Sequence, residues 1–526
     1  MNNMEKYRHI QKCSKRMVIS FIECFVIHFL FLINIIKNAD CWQYSATYLA
    51  YKWEMSAGRW LIPLVDLSRG RLNIPYLSAI LSFVVLSCAG FIVAYNFQSI
   101  CLIDFCIILG LLFSAPFACN ILSYSYCSEA YFISFLLSLL ASLSIIKMNQ
   151  TNRVKLGLMA TVFLVCSLAL YQAFLPVVLI IVIIHKIYRI ITRQDDKLFD
   201  YHLVPIIFGG VLYYLINKLV LLIFQLDANK TYSVFNLSVL DLMKLIPKQI
   251  ITSYNTFYQI YFTNQIVKHS IIDTLFIVIL MIWFIICIVR TIIANHIEFP
   301  KIIYVTLLLL LLPVFLSIVT IISPNKVMRT TLSAPYTVLL FCIYFILTDS
   351  NSKNRFKLPR ILLLLPFILL VYSQILLTNA TYEYQRQVYN QTLSHCQMVL
   401  NDVLKNPSYT KSKPIMFVGG WYLEDHYGNL YVENMGQPVK TLIDYSGYIE
   451  DSSLMPSIPV CFELSSNNYD NFFATELGQE FDVINQFQTY ETIKSTEEYV
   501  KMPYFPNDGY IKEIDGILVV KISTLE

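Results

Sequence analysis

Charged residues are scarce in this chain. Only 14% of its 526 residues are Asp, Glu, Lys or Arg, against about 25% in an average soluble protein. Hydrophobic residues account for 56%, and the formal net charge is only +4. This composition excludes a disordered chain, a basic nucleic-acid-binding protein and an ordinary soluble enzyme.

The common sequence signatures of soluble enzymes and metal proteins are absent as well. The sequence has no Gly-rich phosphate loop, no Ser/His/Asp arrangement and no HExxH motif. Its 13 cysteines include no CxxC pair, and most lie in apolar stretches, where cysteine acts as a small packing residue. The sequence therefore predicts no metal site and no required cofactor. It also lacks the internal repeats typical of many transporters.

Long apolar runs are the main feature of the first 378 residues. A transmembrane helix needs about 20 apolar residues, and on this criterion the sequence predicts about eleven spans. The predicted spans are 17–36, 76–95, 100–119, 130–146, 156–172, 173–190, 202–224, 269–289, 301–322, 331–348 and 359–378. The fifth and sixth are separated at Tyr171-Gln172, because residues 156–190 are too many for one crossing, and Pro176 suits the first turn of a new helix.

Lysine and arginine are unevenly distributed between the two sets of loops. The loops on the side of the N-terminus carry more of them, although the opposite loops are longer in total. Because basic residues accumulate in cytoplasmic loops, we expect a multi-pass membrane protein with a cytoplasmic N-terminus. An odd number of spans then places the C-terminus outside.

Two long loops are predicted on the outer side, at residues 37–75 and 225–268. Both contain amphipathic, aromatic-rich stretches, which favour short helices lying along the membrane surface. From residue 379 onward the chain has ordinary polarity. We therefore expect a transmembrane domain over 1–378 and a small extracytoplasmic α/β domain over 379–526.

Local patterns within that C-terminal domain predict its elements. A helix is expected over 382–404. The apolar run 415–418 is followed by two glycines, which is typical of a buried strand ending in a turn. Further strands are expected at 457–463 and 516–523.

The candidate functional residues are ionisable and polar groups on the predicted outer side. Asp40 stands directly after the first span, and the others follow in the long loop or at the outer ends of later spans. They are Glu54, Arg59, Arg69, Glu129, Tyr171, Gln172, Lys218 and Arg329. Arginines on the outer side are unexpected, because basic residues accumulate in cytoplasmic loops. A guanidinium fork matches the oxygens of a lipid phosphate. The alternatives are a solvated Asp40 at a helix end and arginines that only snorkel to headgroups.

A carboxylate and several arginines at a membrane surface suit the transfer of a group from a lipid phosphate. The carboxylate would act as general base on an acceptor hydroxyl. The cations would neutralise the leaving phosphate. One base and one leaving phosphate imply a single displacement with inversion at the anomeric carbon of the transferred sugar.

Several of these features together resemble the bacterial type II O-antigen glucosyl transferase family. They are the acidic residue after the first span, the segment from Ser56 to Pro63 with its Gly58-Arg59-Trp60 core, the Tyr171-Gln172-Ala173 turn, and Arg329. The resemblance covers residues 17–378. It implies a GT-C-like polytopic fold in the bacterial inner membrane.

The resemblance also implies substrates and roles. Asp40 would be the catalytic base, and Arg59 would belong to the donor-phosphate site, for which Arg69, Lys218 and Arg329 are further candidates. The candidates for substrate or acceptor binding are Glu54, Glu129, Tyr171 and Gln172. The donor would be a polyprenyl-phosphate hexose, usually undecaprenyl-phosphate glucose, and the acceptor a surface polysaccharide such as O-antigen or capsule. A donor-lipid synthase and a flippase would supply the donor.

One departure from the family pattern leaves the acidic part of the site open. Many relatives have an acidic pair after the first span, whereas here Ala39 precedes Asp40. A second carboxylate would then come from Glu54, Asp66 or Glu129. The sequence itself offers no ligand cluster for a divalent metal.

Two other functions are compatible with the sequence. A flippase for lipid-linked oligosaccharides would place charges near the bilayer midplane, where Glu23, His28 and Lys218 are nearly the whole supply. A polysaccharide polymerase or ligase would also use outer arginines, but it would take a polyprenyl-diphosphate oligosaccharide. The glucosyltransferase hypothesis accounts for the long outer loops, which a flippase does not need.

Overall fold

The computed structural model describes most of the chain. The described residues are 3–34, 51–96, 101–151, 153–194, 201, 203–227, 239–263, 271–319, 333–348, 360–419, 467–484 and 486–522. Within them the protein is mostly helical, with one small sheet near the C-terminus. The predicted strand at 457–463 lies outside the described residues.

The helices before residue 350 form the apolar part of the protein. They are α1 (Asn3–Ile27), α2 (Phe29–Asn34), α3 (Tyr51–Ser56), α4 (Ile62–Asp66), α5 (Pro75–Asn96), α6 (Leu102–Phe113), α7 (Pro116–Ser123), α8 (Ser128–Thr151), α9 (Val154–Leu170), α10 (Leu175–Ile191), α11 (Leu203–Ile223), α12 (Val239–Tyr261), α13 (Ile271–Ala294), α14 (Phe299–Leu310), α15 (Leu312–Leu316) and α16 (Ser333–Thr348). The predicted outer loops contain α3, α4 and a 3-10 turn in the first, and α12 in the second.

Six described segments are long and apolar enough to cross a membrane. They are α5, α8, α10 with the turn before it, α11, α13, and the first half of the long helix α17 (Arg360–Lys405). The pair α6 and α7, bent by 50°, would make a seventh, whereas α9, α14 and α16 are apolar but shorter. The predicted count of eleven spans is therefore not confirmed. Pro116 and Pro313 explain part of the difference between the predicted and observed counts. Each lies in the first turn of a short helix, α7 or α15, where a proline prevents the preceding helix from continuing.

The predicted division at Tyr171-Gln172 is confirmed. Helix α9 ends at Leu170, and Tyr171 adopts an extended backbone with φ −159° and ψ 110°. A 3-10 turn over Gln172–Phe174 follows, and α10 begins with Pro176 in its first turn. The break places two polar side chains at the junction of two apolar helices.

Burial separates the helices into a centre and a periphery. In α10, 78% of the apolar segment is buried, whereas in α11 the share is only 22%. Apart from Lys218, the exposed positions of α11 are apolar and include Leu203, Ile207 and Val211. An uncovered apolar face of this kind is typical of a helix that contacts lipid, and the long apolar helices indicate a membrane protein.

The helix ends that form the candidate site lie together at one end of the bundle. The first turns of α5, α8 and α10 lie there with the end of α9, and we call this the upper end. The segment between α3 and α4 is attached to it, since the Leu61 amide donates to the Ala169 carbonyl at 3.1 Å. At the opposite end, the Tyr344 hydroxyl donates to Asp104 in the first turn of α6 at 2.5 Å.

Helix α17 runs through the bundle toward the upper end and beyond it. It begins beside Asp104, which pairs with Arg360. Further along, the Tyr382 hydroxyl lies 2.7 Å from Nδ1 of His28, a fully buried residue that stacks on Phe83 of α5. The predicted boundary between 378 and 379 thus falls inside a continuous helix, and the predicted helix 382–404 is its second half.

The C-terminal residues pack against the end of α17. They form β1 (Ile415–Val418), α18 (Asn467–Leu477), α19 (Phe487–Lys494), α20 (Glu497–Val500), β2 (Ile511–Ile514) and β3 (Ile517–Lys521). The strand order is β1-β3-β2, with β1 parallel and β2 antiparallel to β3. The predictions of β1 and β3 are confirmed, whereas β2 was not predicted. Cys396 and Val399 of α17 share a core with Leu518 and Val520 of β3.

Candidate active site

A tight turn between α3 and α4 is the centre of the candidate site. Gly58 has φ +84°, a left-handed conformation that glycine adopts without strain. A Cβ added to Gly58 would lie 2.4 Å from the Tyr213 Oη and 2.8 Å from the Gln172 Nε2. The turn therefore requires glycine at this position both for its backbone and for the close approach of two polar side chains.

Those two side chains hold the turn in place. The Gln172 Nε2 donates to the Ala57 carbonyl at 2.9 Å and to the Tyr213 Oη at 2.8 Å. The Tyr213 hydroxyl in turn donates to the Gly58 carbonyl at 3.0 Å. The junction of α9 and α10 and the middle of α11 thus fix the backbone that precedes Arg59.

The Arg59 side chain is enclosed by a carboxylate and aromatic rings. Its Nη1 lies 3.2 Å from Glu54 Oε2 and 3.2 Å from the Tyr131 Oη. Its Cζ lies 5.5 Å from the Trp53 ring centroid and 5.0 Å from that of Tyr171, distances typical of cation–π contacts. Burial alone would lower the pKa of Arg59, but Tyr131 and Glu54 raise it above its usual value, so the guanidinium stays charged.

A second charged cluster surrounds Arg69. Its Nη2 lies 2.6 Å from Asp66 Oδ1, and its Nε lies 2.7 Å from Glu129 Oε1. The same Nη2 donates to the Tyr126 carbonyl at 2.6 Å, and Ser78 donates to Glu129. Buried charges are tolerated when they are paired in this way. Burial raises the pKa of Asp66, although Arg69 opposes the shift.

The two clusters are connected through the first turn of α8. Glu129 of the Arg69 cluster and Tyr131 of the Arg59 cluster lie two residues apart on this helix. The Tyr131 ring also stacks on Tyr171, with centroids 4.4 Å apart. Any displacement of α8 would therefore disturb both arginines.

The structure brings most of the described candidates together. Glu54, Arg59, Tyr171 and Gln172 meet around the Gly58 turn, and Arg69 and Glu129 form the second cluster. Lys218 is apart from both, since its side chain is exposed on α11 with the amine 5.0 Å from the Tyr214 ring centroid. Asp40 and Arg329 lie outside the described residues.

Sequence reasoning missed three polar residues of this site. Tyr131 binds Arg59, Tyr213 binds the Gly58 turn, and Asn217 is buried beside it. A signal was available for the last two. Tyr213 and Asn217 are polar residues four apart in a very apolar helix, a spacing that puts both on one face.

Among the described residues, no three His, Cys, Asp or Glu side chains come together as a candidate metal site. Asp66 and Glu129 both contact Arg69. Both carboxylates are therefore paired with a guanidinium, and Glu129 also accepts a hydrogen bond from the Ser78 hydroxyl.

The long apolar helices and the buried charged clusters at their upper end define a polytopic membrane protein with a polar site at one end of its bundle. A family model described as glucosyl transferase GtrII matches residues 29–347, which is more than half of the chain. The chain therefore belongs to this glucosyl transferase family, as its sequence features predicted. No curated protein and no solved structure matches it. Both charged clusters lie inside the matched residues.

Proposed function

We propose that the protein transfers a hexose, glucose in the first instance, from a polyprenyl-phosphate donor to a surface polysaccharide such as O-antigen, capsule or another envelope glycan. The reaction takes place at the outer face of the bacterial inner membrane, on a GT-C-like scaffold. The observation that carries the proposal is the buried, aromatic-lined Arg59 at the upper end of the bundle, within the segment that matches the glucosyl transferase family.

Arg59 suits a donor phosphate for electrostatic reasons. When the sugar–phosphate bond breaks, the leaving phosphate gains one negative charge, and a nearby guanidinium stabilises that charge more strongly in a water-poor site than in water. Glu54 and the rings of Tyr131 and Tyr171 fix the guanidinium before the substrate arrives. Fixed charges of this kind need little reorganisation during the reaction.

The other cations take different roles in the proposal. Arg329 completes the donor-phosphate site, and Lys218 attracts the donor headgroup from the lipid-facing side of α11, where a long side chain reaches the interface. Arg69 and Glu129 are assigned a structural role, because their charges neutralise each other and tie the segment after α4 to α8. The donor role of Arg69 and the acceptor role of Glu129, which the sequence predicts, stay the alternative.

The chemical step is a single displacement. Asp40 removes the proton from an acceptor hydroxyl, and the hydroxyl oxygen forms a bond to the anomeric carbon of the donor sugar. The bond between that carbon and the phosphate oxygen breaks, and its electron pair leaves with the polyprenyl phosphate. The anomeric configuration is inverted, and no covalent sugar–enzyme intermediate forms.

The test uses the full chain in lipid nanodiscs with radiolabelled polyprenyl-phosphate glucose and a surface polysaccharide acceptor. Asp40→Asn should abolish transfer while leaving the thermal unfolding midpoint unchanged. The matched control is Asp227→Asn, an exposed acid just after α11, which should transfer at the wild-type rate. Wild-type turnover by Asp40→Asn would remove the assigned base.

Two further measurements address the donor and the stereochemistry. NMR of the product should show an anomeric configuration opposite to that of the donor. Retention of configuration would contradict a single displacement. Turnover with a polyprenyl-diphosphate oligosaccharide, and none with the monophosphate sugar, would favour a polymerase or ligase instead.

A further inference from the structure

A buried amide, that of Asn217, lies beside the Gly58 turn. Asn217 is 1% exposed, and its Oδ1 has no hydrogen-bond partner among the residues that the structure describes. A buried acceptor without a partner costs free energy, because it loses its hydrogen bonds to water and gains none in return. Helix α11 is otherwise strongly apolar, so a leucine would suit this position better on stability grounds alone.

The position of Asn217 connects it to the candidate active site. It lies one helical turn after Tyr213 on the same face of α11. Its Oδ1 is 3.7 Å from the point that a Cβ on Gly58 would occupy. The amide therefore borders the turn that leads directly into Arg59.

Its polar neighbours already have partners within the protein. The Gln172 amide group donates to the Ala57 carbonyl and to Tyr213, and the Tyr213 hydroxyl donates to the Gly58 carbonyl. These bonds stabilise the turn. Asn217 contributes to none of them, so the stability of the turn does not account for an amide at this position.

We propose that the Asn217 Oδ1 accepts a hydrogen bond from a hydroxyl group of the donor hexose and thereby contributes to sugar specificity. The inference rests on the proposed function and extends it. In a sugar phosphate the ring hydroxyls lie a few bonds from the phosphate, so a sugar held by Arg59 through its phosphate presents hydroxyls to the adjacent turn. An amide oxygen only accepts hydrogen bonds, and a hydroxyl supplies the donor it lacks.

This role predicts a specific pattern of discrimination. A site that hydrogen-bonds a substrate hydroxyl rejects an analogue that lacks it, because the protein group is then left buried and unpaired. The wild-type protein should therefore discriminate against one deoxyglucose donor more than against the others. A residue that only packs would leave no such dependence on a single hydroxyl.

The experiment compares polyprenyl-phosphate glucose with its 2-, 3-, 4- and 6-deoxy analogues in the nanodisc assay. Asn217→Leu has nearly the shape of asparagine and removes the unpaired polar group, so it should fold at least as stably as the wild type. We expect its KM for the glucose donor to rise about tenfold, the effect of one lost hydrogen bond. We also expect it to lose the discrimination against the one deoxy donor. Leu215→Ala, on the exposed apolar face of the same helix, is the control and should match the wild type.

The outcomes separate the two proposals. If the wild type transfers glucose but Asn217→Leu retains both its KM and its deoxy profile, the role of Asn217 is overturned while the proposed function stands. If the wild type transfers glucose from none of these donors, the proposed function fails, and the inference fails with it. Should Asn217→Leu not fold, Asn217→Ala provides the same comparison. Equal use of all deoxy donors by the wild type would overturn the inference without any variant.

Discussion

Glu54 and Arg59 are joined twice across the Gly58 turn. The Arg59 amide donates to the Glu54 carbonyl at 2.8 Å, and the Arg59 Nη1 lies 3.2 Å from Glu54 Oε2. The first bond closes the backbone turn, and the second fixes the direction of the guanidinium. A short local segment thus sets the position of a buried charge that would otherwise have many rotamers.

The two buried arginines should respond differently to the same substitution. Arg59→Lys keeps the charge but loses the planar group that contacts Tyr171 and Trp53, so the KM for the donor should rise at least about tenfold. Arg69→Lys loses part of a network with four partners, and the thermal unfolding midpoint should fall because a buried network is broken. Donor kinetics and thermal unfolding of both variants check this. Equal changes in KM would show that both arginines serve the donor site.

The Gly58 turn makes a second prediction with a matched control. Gly58→Ala introduces a Cβ that would overlap the Tyr213 Oη, whereas Gly70→Ala, also at positive φ, meets no atom of the described residues within 4 Å. Both carry the left-handed backbone cost of about 1–2 kcal/mol. Only Gly58→Ala should also displace the turn and reduce kcat/KM more than tenfold. Similar activities for the two variants would mean that backbone strain, and not the contact with Tyr213, limits this position.

The sequence predicted local features of the fold well. The break at Tyr171 and the strands β1 and β3 follow from residue patterns within a few positions, and the helix over 239–261 lies in the amphipathic loop predicted at 225–268. The bend between α6 and α7 did not follow, because the apolar run around Pro116 reads as one continuous span. Strand β2 was missed because its Lys512 and Glu513 face solvent and weaken the apolar pattern.

The sequence predicted which types of residue form the candidate site, but it did not predict which of them contact each other. Arg59 and Arg69 stand out in the sequence for the same reason, an arginine in a predicted outer loop. Only contacts over long sequence distances distinguish them: Tyr131 reaches Arg59 from 72 residues away, and Glu129 on the same helix binds Arg69. Such pairings depend on how the helices pack, which the pattern of one chain does not specify.

Gln172 and Tyr213 should act as a unit. Because the Gln172 amide donates to the Tyr213 hydroxyl, which in turn donates to the Gly58 carbonyl, removing either group weakens the same support. Gln172→Ala and Tyr213→Phe should each lower kcat/KM, and the double variant should lose less than the sum of the two effects. A coupling of about 0.5–3 kcal/mol is typical of groups in one network. Strict additivity in the double-mutant cycle would show that the two side chains support the turn independently.

A histidine beyond the apolar segment of α17 predicts a pH dependence for the C-terminal part. Burial lowers the pKa of His395, whose ring packs edge-on against Phe505 at 5.7 Å. The folded state therefore binds a proton less readily than the unfolded state, whose histidine titrates near about 6.5. The stability that the neutral ring contributes is fully present above the pKa of the unfolded state. It is lost as the pH falls from that value toward the lower pKa of His395 in the folded state. Limited proteolysis of the full chain should cut the C-terminal part faster at pH 5.5 than at pH 7.5, and His395→Gln should reduce this difference. An unchanged pH response in His395→Gln would assign the titration to another group.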